Sequence, residues 1–479
     1  MLFFYFLISA MPLLRDPLWE HFMSDLTAVK YLGSACLAYA LWHLAITHRW
    51  PAFMSTPQAR WFLFLVLWAA GSYLIYGPHL PWDQSPILSY ISFLLLFIIT
   101  LSIVDNWRRL EHVLWAIIGA DALASLYILR EWQKYHAVFV DFRPGWVTGD
   151  PNYFTASALI GLPLALVFCG AFATRWKRLL AGGAGILMLV AIALAASRGG
   201  MLGLGAAVVF LAWRRRRLRL LIALSLLTLP ILIVWPNSPL NRLLHPTFSD
   251  RQSTDMRLAL WQAGMRMIAE HPVTGIGLGN FKFEVQQYAA GHKNLDHIAH
   301  NAYMEIAAEM GLPALAAYLL LLYYSTLPLI RLARMETSVR RESKPSIHER
   351  MEQEFQWTNT AECIPYSAAE NNWKDALPAE NGVTDLAPEP PSALGEDLPA
   401  WAPSAALGLQ AALLGFSVSA IFLSAQYTKL FWLLLALSAA IPTLVAHTSE
   451  VHATREAEEF AVGPEETSIP VMTGIPDHA

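Results

Sequence analysis

The sequence predicts an all-α integral membrane protein of about twelve transmembrane helices, with a large helical loop held on one side of the bilayer. Three observations predict it. Apolar runs of about 17 to 25 residues recur along the chain, long enough for a helix to cross a bilayer core. Lys and Arg cluster in alternate connections between those runs. Between Pro236 and His300 lies a polar stretch bearing Arg and His, with apolar spans on both sides.

Composition sets the class. Of 479 residues, 55% are hydrophobic and only 15% charged. The mean hydropathy stays at +0.40 although two long polar segments pull it down. The net charge of −4 comes mostly from acids in one late segment and gives no sign of a nucleic-acid partner. The cysteines, Cys36, Cys169 and Cys363, form neither a disulfide framework nor a zinc or redox spacing. No metal site and no cofactor are expected.

Taken in order, the spans fall near 1–14, 26–46, 61–76, 86–104, 112–130, 153–173, 178–196, 199–213, 217–235, 302–330, 405–424 and 429–447. The first is cut short by Arg15 and lacks the basic start and cleavage site of a signal peptide, so it reads as a span. Basic connections are His48 to Arg60, Trp107 to Arg109, Arg175 to Arg178, Arg214 to Arg219, and Arg331 to Lys344. The intervening ones are poorer in Lys and Arg or mix both signs. This alternation places both termini in the cytoplasm, and Arg198, the 236–300 loop and His300 on the outer face.

The domain plan follows. Residues 1–235 hold nine spans, 236–300 the outer loop, 301–332 the tenth span and 405–447 the last two. Residues 333–404 are rich in Glu, Asp, Asn, Ser and Pro, with Pro388, Pro390 and Pro391 clustered. They read as a disordered cytoplasmic linker, and 448–479 as a tail of the same kind.

Candidate site residues gather on the outer face. Arg198 lies in Ala195-Ala196-Ser197-Arg198-Gly199-Gly200, which joins two apolar spans with almost no loop. A charge so near the bilayer faces a cavity or a partner, unless it merely reaches for headgroups. In the loop, Ser253, Thr254 or Asp255 is suited to cap a helix that stops near Glu270, before His271-Pro272. At ~100° per residue, Trp261, Gly264 and Ile268 lie within about 40° of Arg257, which therefore sits in the apolar stripe. A buried arginine needs an anion. A protein carboxylate satisfies that need, and so does a phosphate, which the guanidinium fork grips in two parallel hydrogen bonds.

His300, followed by Asn301, stands where the loop re-enters the membrane. It either ends the loop among headgroups or takes a proton from a hydroxyl near neutral pH. Tyr303, Met304, Ala307 and Gly311 share its face within about 60°, whereas Glu305 and Glu309 point elsewhere. Gly275, Gly277 and Gly279 do not follow a strand, so they read as a structural turn and not a dinucleotide loop. Asp150-Pro151-Asn152 reads as a helix start.

These elements resemble the O-antigen ligase and O-antigen polymerase superfamily of bacterial membrane glycosyltransferases. The resemblance rests on Ser197-Arg198-Gly199, on Arg257 four residues before Trp261, on His271-Pro272 leading to Gly275, Gly277, Gly279 and Phe281, and on His300-Asn301 with Glu309 and Gly311 beyond. It implies a GT-C-like helical fold in the bacterial inner membrane. It also implies metal-independent, inverting transfer of a glycan from undecaprenyl pyrophosphate at the periplasmic face. Arg198 and Arg257 would hold the pyrophosphate, and His300 would activate the acceptor hydroxyl. Asn301, Tyr303 and Trp261 complete the expected substrate-binding set. The acceptor expected first is lipid A-core, in an O-antigen ligase. Polymerisation of repeat units, or O-glycosylation of protein, uses the same chemistry. A small-anion transporter, for instance of bicarbonate, is the alternative from another class. Against it stands the absence of an internal repeat or of paired broken helices.

Overall fold

The computed structural model describes residues 2–11, 25–47, 55–77, 85–138, 142–145, 150–216, 245, 248–289, 295–342 and 398–461. Among them there is no strand. The helices are α1 (Leu2–Ala10), α2 (Asp25–Thr47), α3 (Pro57–Tyr76), α4 (Pro86–Ile103), α5 (Trp107–Tyr135), α6 (Pro151–Ala171), α7 (Arg175–Ala195), α8 (Arg198–Arg214), α9 (Phe248–Glu270), α10 (Phe281–Tyr288), α11 (Ala302–Glu342), α12 (Ala402–Ser419) and α13 (Lys429–Ala461). Two short 3-10 turns, Ala420–Phe422 and Ala425–Tyr427, join α12 to α13.

Eleven of the twelve expected spans are helices here, and the expected span at 217–235 lies outside the described residues. Among the described residues, eight helices, α3 to α7 and α11 to α13, are long and apolar enough to cross a membrane. With 9 residues α1 is too short to cross a bilayer core, and with 17 residues α8 stands at the lower limit. The helix that begins the tenth span runs on to Glu342, past the expected boundary at 332. Most of the expected linker and tail lies outside the described residues.

By contacts the chain divides into Met1–Arg334 with Pro399–Leu444, and Met335–Leu398 with Val445–Ala479. The first unit holds everything discussed below. In the second, 335–342 and 445–461 are helical.

The helix starts follow from local chemistry. Thr56 caps α3 by accepting from the Ala59 amide, and Pro57 supplies a first residue that needs no donor. Asn106 caps α5 through the Arg109 amide at 2.9 Å. Asp150 caps α6 through the Asn152 amide at 2.7 Å, with Pro151 first in the helix. The centre of the first unit is α6, which packs on α5, α7, α8 and α12. Small residues permit this: Gly203 of α8 lies against the backbone carbonyl of Gly415 on α12, and Gly408 against Leu164 and Val167 of α6. A second focus is Trp432 of α13. It stacks on Phe62 at 4.6 Å and Phe93 at 5.2 Å, and its indole N–H donates to the Gln426 carbonyl at 2.7 Å.

The 248–300 segment has a core of its own. Leu260, Ala263 and Met267 of α9 pack with Phe281 and Val285 of α10 and with Ile276, Leu295 and Ala299. The glycine turn fixes this layer to α11. The Ile276 and Gly277 amides donate to the carbonyls of Ala308 and Glu309, both at 2.9 Å. The Glu309 carboxylate accepts from the Phe281 amide at 3.2 Å. Gly275 (φ +65) and Gly311 (φ +80) need the left-handed backbone, and a Cβ on either would overlap facing main chain. The glycines thus serve as the structural turn expected of them. Gly311 also kinks α11, where the Leu312 amide bonds the Pro272 carbonyl at 2.8 Å.

Candidate functional site

The site begins at the junction of α7 and α8. Ala196 closes α7 in the left-handed region (φ 49, ψ 40), which frees the chain to turn at once into α8. Ser197 caps α8, its hydroxyl accepting from the Gly200 amide at 3.1 Å and donating to Asn152 Oδ1 at 2.8 Å. Arg198 is then the first helical residue. The two glycines after it are required by close approach. A Cβ on Gly199 would sit 2.8 Å from Phe422 Cβ, and one on Gly200 would sit 2.7 Å from Thr155 Cβ. The α6 and α8 starts are thereby locked together, and the positive end of the α8 helix dipole lies beside Arg198.

This junction forms one wall of a cavity of about 140 Å³. Ser253 and Arg257 of α9 form a second wall, and Ser419 at the end of α12 with Phe422 and Leu423 of the α12–α13 connection a third. Arg143 completes it. Its Nε donates to the Ala195 carbonyl at 3.1 Å and its Nη2 to Asn152 Oδ1 at 3.3 Å. Among the described residues that line the cavity are three arginines and no carboxylate.

Electrostatics agree with the geometry. Burial lowers the pKa of the Arg257 guanidinium, and the like charge of Arg198 lowers it further, while Asp150 opposes both. Arginine stays protonated against such a shift. The cavity is therefore lined by positive charge that Asp150 offsets in part, a setting suited to an anion.

His300 stands beside this cavity but is not among its lining residues. Its backbone is left-handed (φ 49), a conformation that costs a non-glycine residue on the order of 1–2 kcal/mol. The flanking peptide is held from several sides. Trp261 Nε1 donates to the Ala299 carbonyl at 3.0 Å, and the Ala302 amide donates to the Leu423 carbonyl at 3.1 Å. Burial pushes the His300 imidazole pKa down, Arg257 pushes the same way, Asp150 opposes them, and His297 adds a smaller push downward. An imidazole so placed is neutral near pH 7 and able to accept a proton.

The structure thus brings Arg198 and Arg257 to one cavity and places His300 within electrostatic reach of Arg257. The other expected binding residues spend their polar atoms on structure. Asn301 Oδ1 caps α11 through the amides of Tyr303 and Met304, at 3.1 and 3.0 Å. Tyr303 donates its hydroxyl to the Ser417 carbonyl at 2.9 Å. Trp261 lies with its ring 6.3 Å from that of Phe422. One boundary differs from expectation: α9 starts at Phe248, so Ser253, Thr254 and Asp255 lie within the helix and Ser253 faces the cavity instead of capping. Arg266 lies on the exposed side, donating to the Tyr288 carbonyl at 2.7 Å.

Sequence reasoning missed Arg143 and the Phe422–Leu423 wall. The signal for Arg143 was an arginine in a connection otherwise assigned to the side poor in Lys and Arg. No such signal marks Phe422 or Leu423, which read as the end of an apolar span. Among the described residues, no group of three His, Cys, Asp or Glu is placed to hold a metal ion.

Residues 183–319 match a family model described as O-antigen ligase. The matched segment is under a third of the 479-residue chain and contains Arg198, Arg257 and His300; Arg143, Asn152 and the Phe422–Leu423 wall lie outside it. No curated protein matches the chain.

Proposed function

We propose that this chain, which belongs to an O-antigen ligase-like family of multi-pass membrane enzymes, moves a glycan from undecaprenyl pyrophosphate to an acceptor hydroxyl at the outer face of the bacterial inner membrane. The observation that carries the reading is the cavity shared by Arg198 and Arg257. In this reading the pyrophosphate of the donor occupies it. The acceptor oxygen attacks the anomeric carbon as the bond from that carbon to the phosphate oxygen breaks. Configuration inverts, and His300 takes the hydroxyl proton. Charge developing on the leaving pyrophosphate is met by Arg198 and Arg257, fixed in place before reaction, so no metal is needed to stabilise it.

Lipid A-core is the acceptor we assign, which makes the activity that of an O-antigen ligase. The test is transfer in proteoliposomes from an undecaprenyl-pyrophosphate glycan to lipid A-core. Wild type is expected to transfer, with Arg257→Ala and His300→Ala both severely impaired. Full activity in both variants would refute the mechanism. In a deletion strain, free polymer on the lipid carrier is the expected result. Single-repeat surface glycan would mean a polymerase, and unglycosylated protein a protein O-glycosyltransferase. Uptake of labelled bicarbonate by proteoliposomes that transfer nothing would mean a transporter.

A further inference from the structure

We propose that Glu305 is a positioning residue that fastens the His300 turn to the wall of the arginine cavity. The proposal deepens the transfer reading and rests on it. Glu305 lies on α11, five residues after His300, and is 2% exposed. Three donors from two separate segments converge on its carboxylate: the Ala299 amide, the Ser424 hydroxyl and, at 2.6 Å, Gln426 Nε2. All three are neutral, and among the described residues no cation pairs with Glu305. A buried carboxylate without a cation is costly unless its lone pairs are filled, which is what the three donors do.

The placement of those donors gives the role. Ala299 precedes His300, whose left-handed backbone persists only if its surroundings hold it. The Ala299 N–H faces the Glu305 carboxylate while its carbonyl accepts from Trp261, so the backbone of the residue before His300 is held on both sides. Ser424 and Gln426 belong to the α12–α13 connection, directly after the cavity-lining Phe422 and Leu423. The Ser424 carbonyl in turn accepts from the Tyr153 hydroxyl at 3.1 Å, next to the cavity-lining Asn152. One carboxylate therefore sets the distance between the proposed base and the proposed anion site. It touches neither, so its loss should misplace His300 without emptying the cavity.

The test compares wild type, Glu305→Gln and Ser424→Ala as full-length protein in proteoliposomes. Transfer is measured from an undecaprenyl-pyrophosphate glycan to lipid A-core, donor retention by native mass spectrometry, and folding by melting temperature. In Glu305→Gln we expect donor retention and KM for donor to stay as in wild type while kcat falls about ten- to a hundredfold. Ser424→Ala is expected to show a smaller fall of the same kind, with little added in the double variant. A wild-type kcat in Glu305→Gln overturns the proposal, and so does a parallel fall in donor retention and kcat. Wild type that transfers nothing overturns the transfer reading beneath it.

Discussion

The indole N–H of Trp261 donates to the carbonyl of Ala299 at 3.0 Å, so the helix bearing Arg257 is bonded to the residue before His300. Arg257 and Trp261 are one helical turn apart and share a face of α9. The bond makes the proposed anion site and the proposed base parts of one body. Trp261→Phe keeps an aromatic side chain at this position and removes the N–H donor together with part of the ring volume. About 1 kcal/mol of net hydrogen bonding is lost, and transfer is expected to fall about three- to tenfold with donor binding unchanged. Steady-state kinetics in proteoliposomes checks this.

Arg198 and Arg257 line the same cavity, and a planar fork suits phosphate oxygens better than a point charge. A hydrogen bond to a charged group contributes about 1.5–3 kcal/mol. Either Ala variant should therefore bind the carrier-linked donor about 10- to 100-fold more weakly, and either Lys variant should fall between. Donor titration on purified protein gives the ranking. Equal affinity for Lys and Ala variants would mean that charge is not what the site supplies.

His300 has its pKa lowered first by burial and then by Arg257, with Asp150 opposing. A lowered pKa keeps the imidazole neutral to more acidic pH, so transfer should hold from neutral pH downward and fall only below the ordinary value of about 6.5. Removing a neighbouring positive charge raises that midpoint and removing a negative one lowers it. Residual activity of Arg257→Gln should thus show the acid limb at higher pH, and Asp150→Asn at lower pH. Asn still caps α6 in the second variant. The pH profile of kcat measures both.

Gly200 and Thr155 hold the α6 and α8 starts in contact, with no room for a Cβ on Gly200. Gly200→Ala should destabilise the fold by about 1–3 kcal/mol through overpacking and shift Arg198 with it. Thr155→Ala in the same chain removes part of the clash and should restore part of the loss. Melting temperature together with donor binding of the single and double variants checks the pairing.

How far each part could be read from sequence follows from how local its determinants are. The spans at 86–104 and 153–173 emerge as α4 and α6 because length and apolarity decide a membrane helix without reference to its neighbours. The Asp150-Pro151 start was readable for the same reason, since a cap and the first residue are adjacent in the chain. The α9 start lies at Phe248, ahead of the cap expected at Ser253, Thr254 or Asp255, because several polar residues there suit a cap and periodicity does not choose between them. Arg257 stood out as a charge in an apolar stripe. The Phe422–Leu423 wall did not, because only its packing on Gly199 distinguishes it from any apolar helix end. Asn301 caps α11 through the amides two and three residues on, a local pattern that marks a helix start, whereas the bond of Tyr303 to Ser417 depends on a tertiary neighbour no spacing rule reports.

The most direct test of the account is retention of an undecaprenyl-pyrophosphate glycan by the purified protein in native mass spectrometry, comparing wild type with Arg198→Ala and Arg257→Ala. The account predicts that wild type retains the donor and that each variant loses most of it while remaining folded. Folded wild type that retains no donor, or variants that retain it undiminished, would contradict the claim that this arginine cavity is the site of a carrier-linked pyrophosphate.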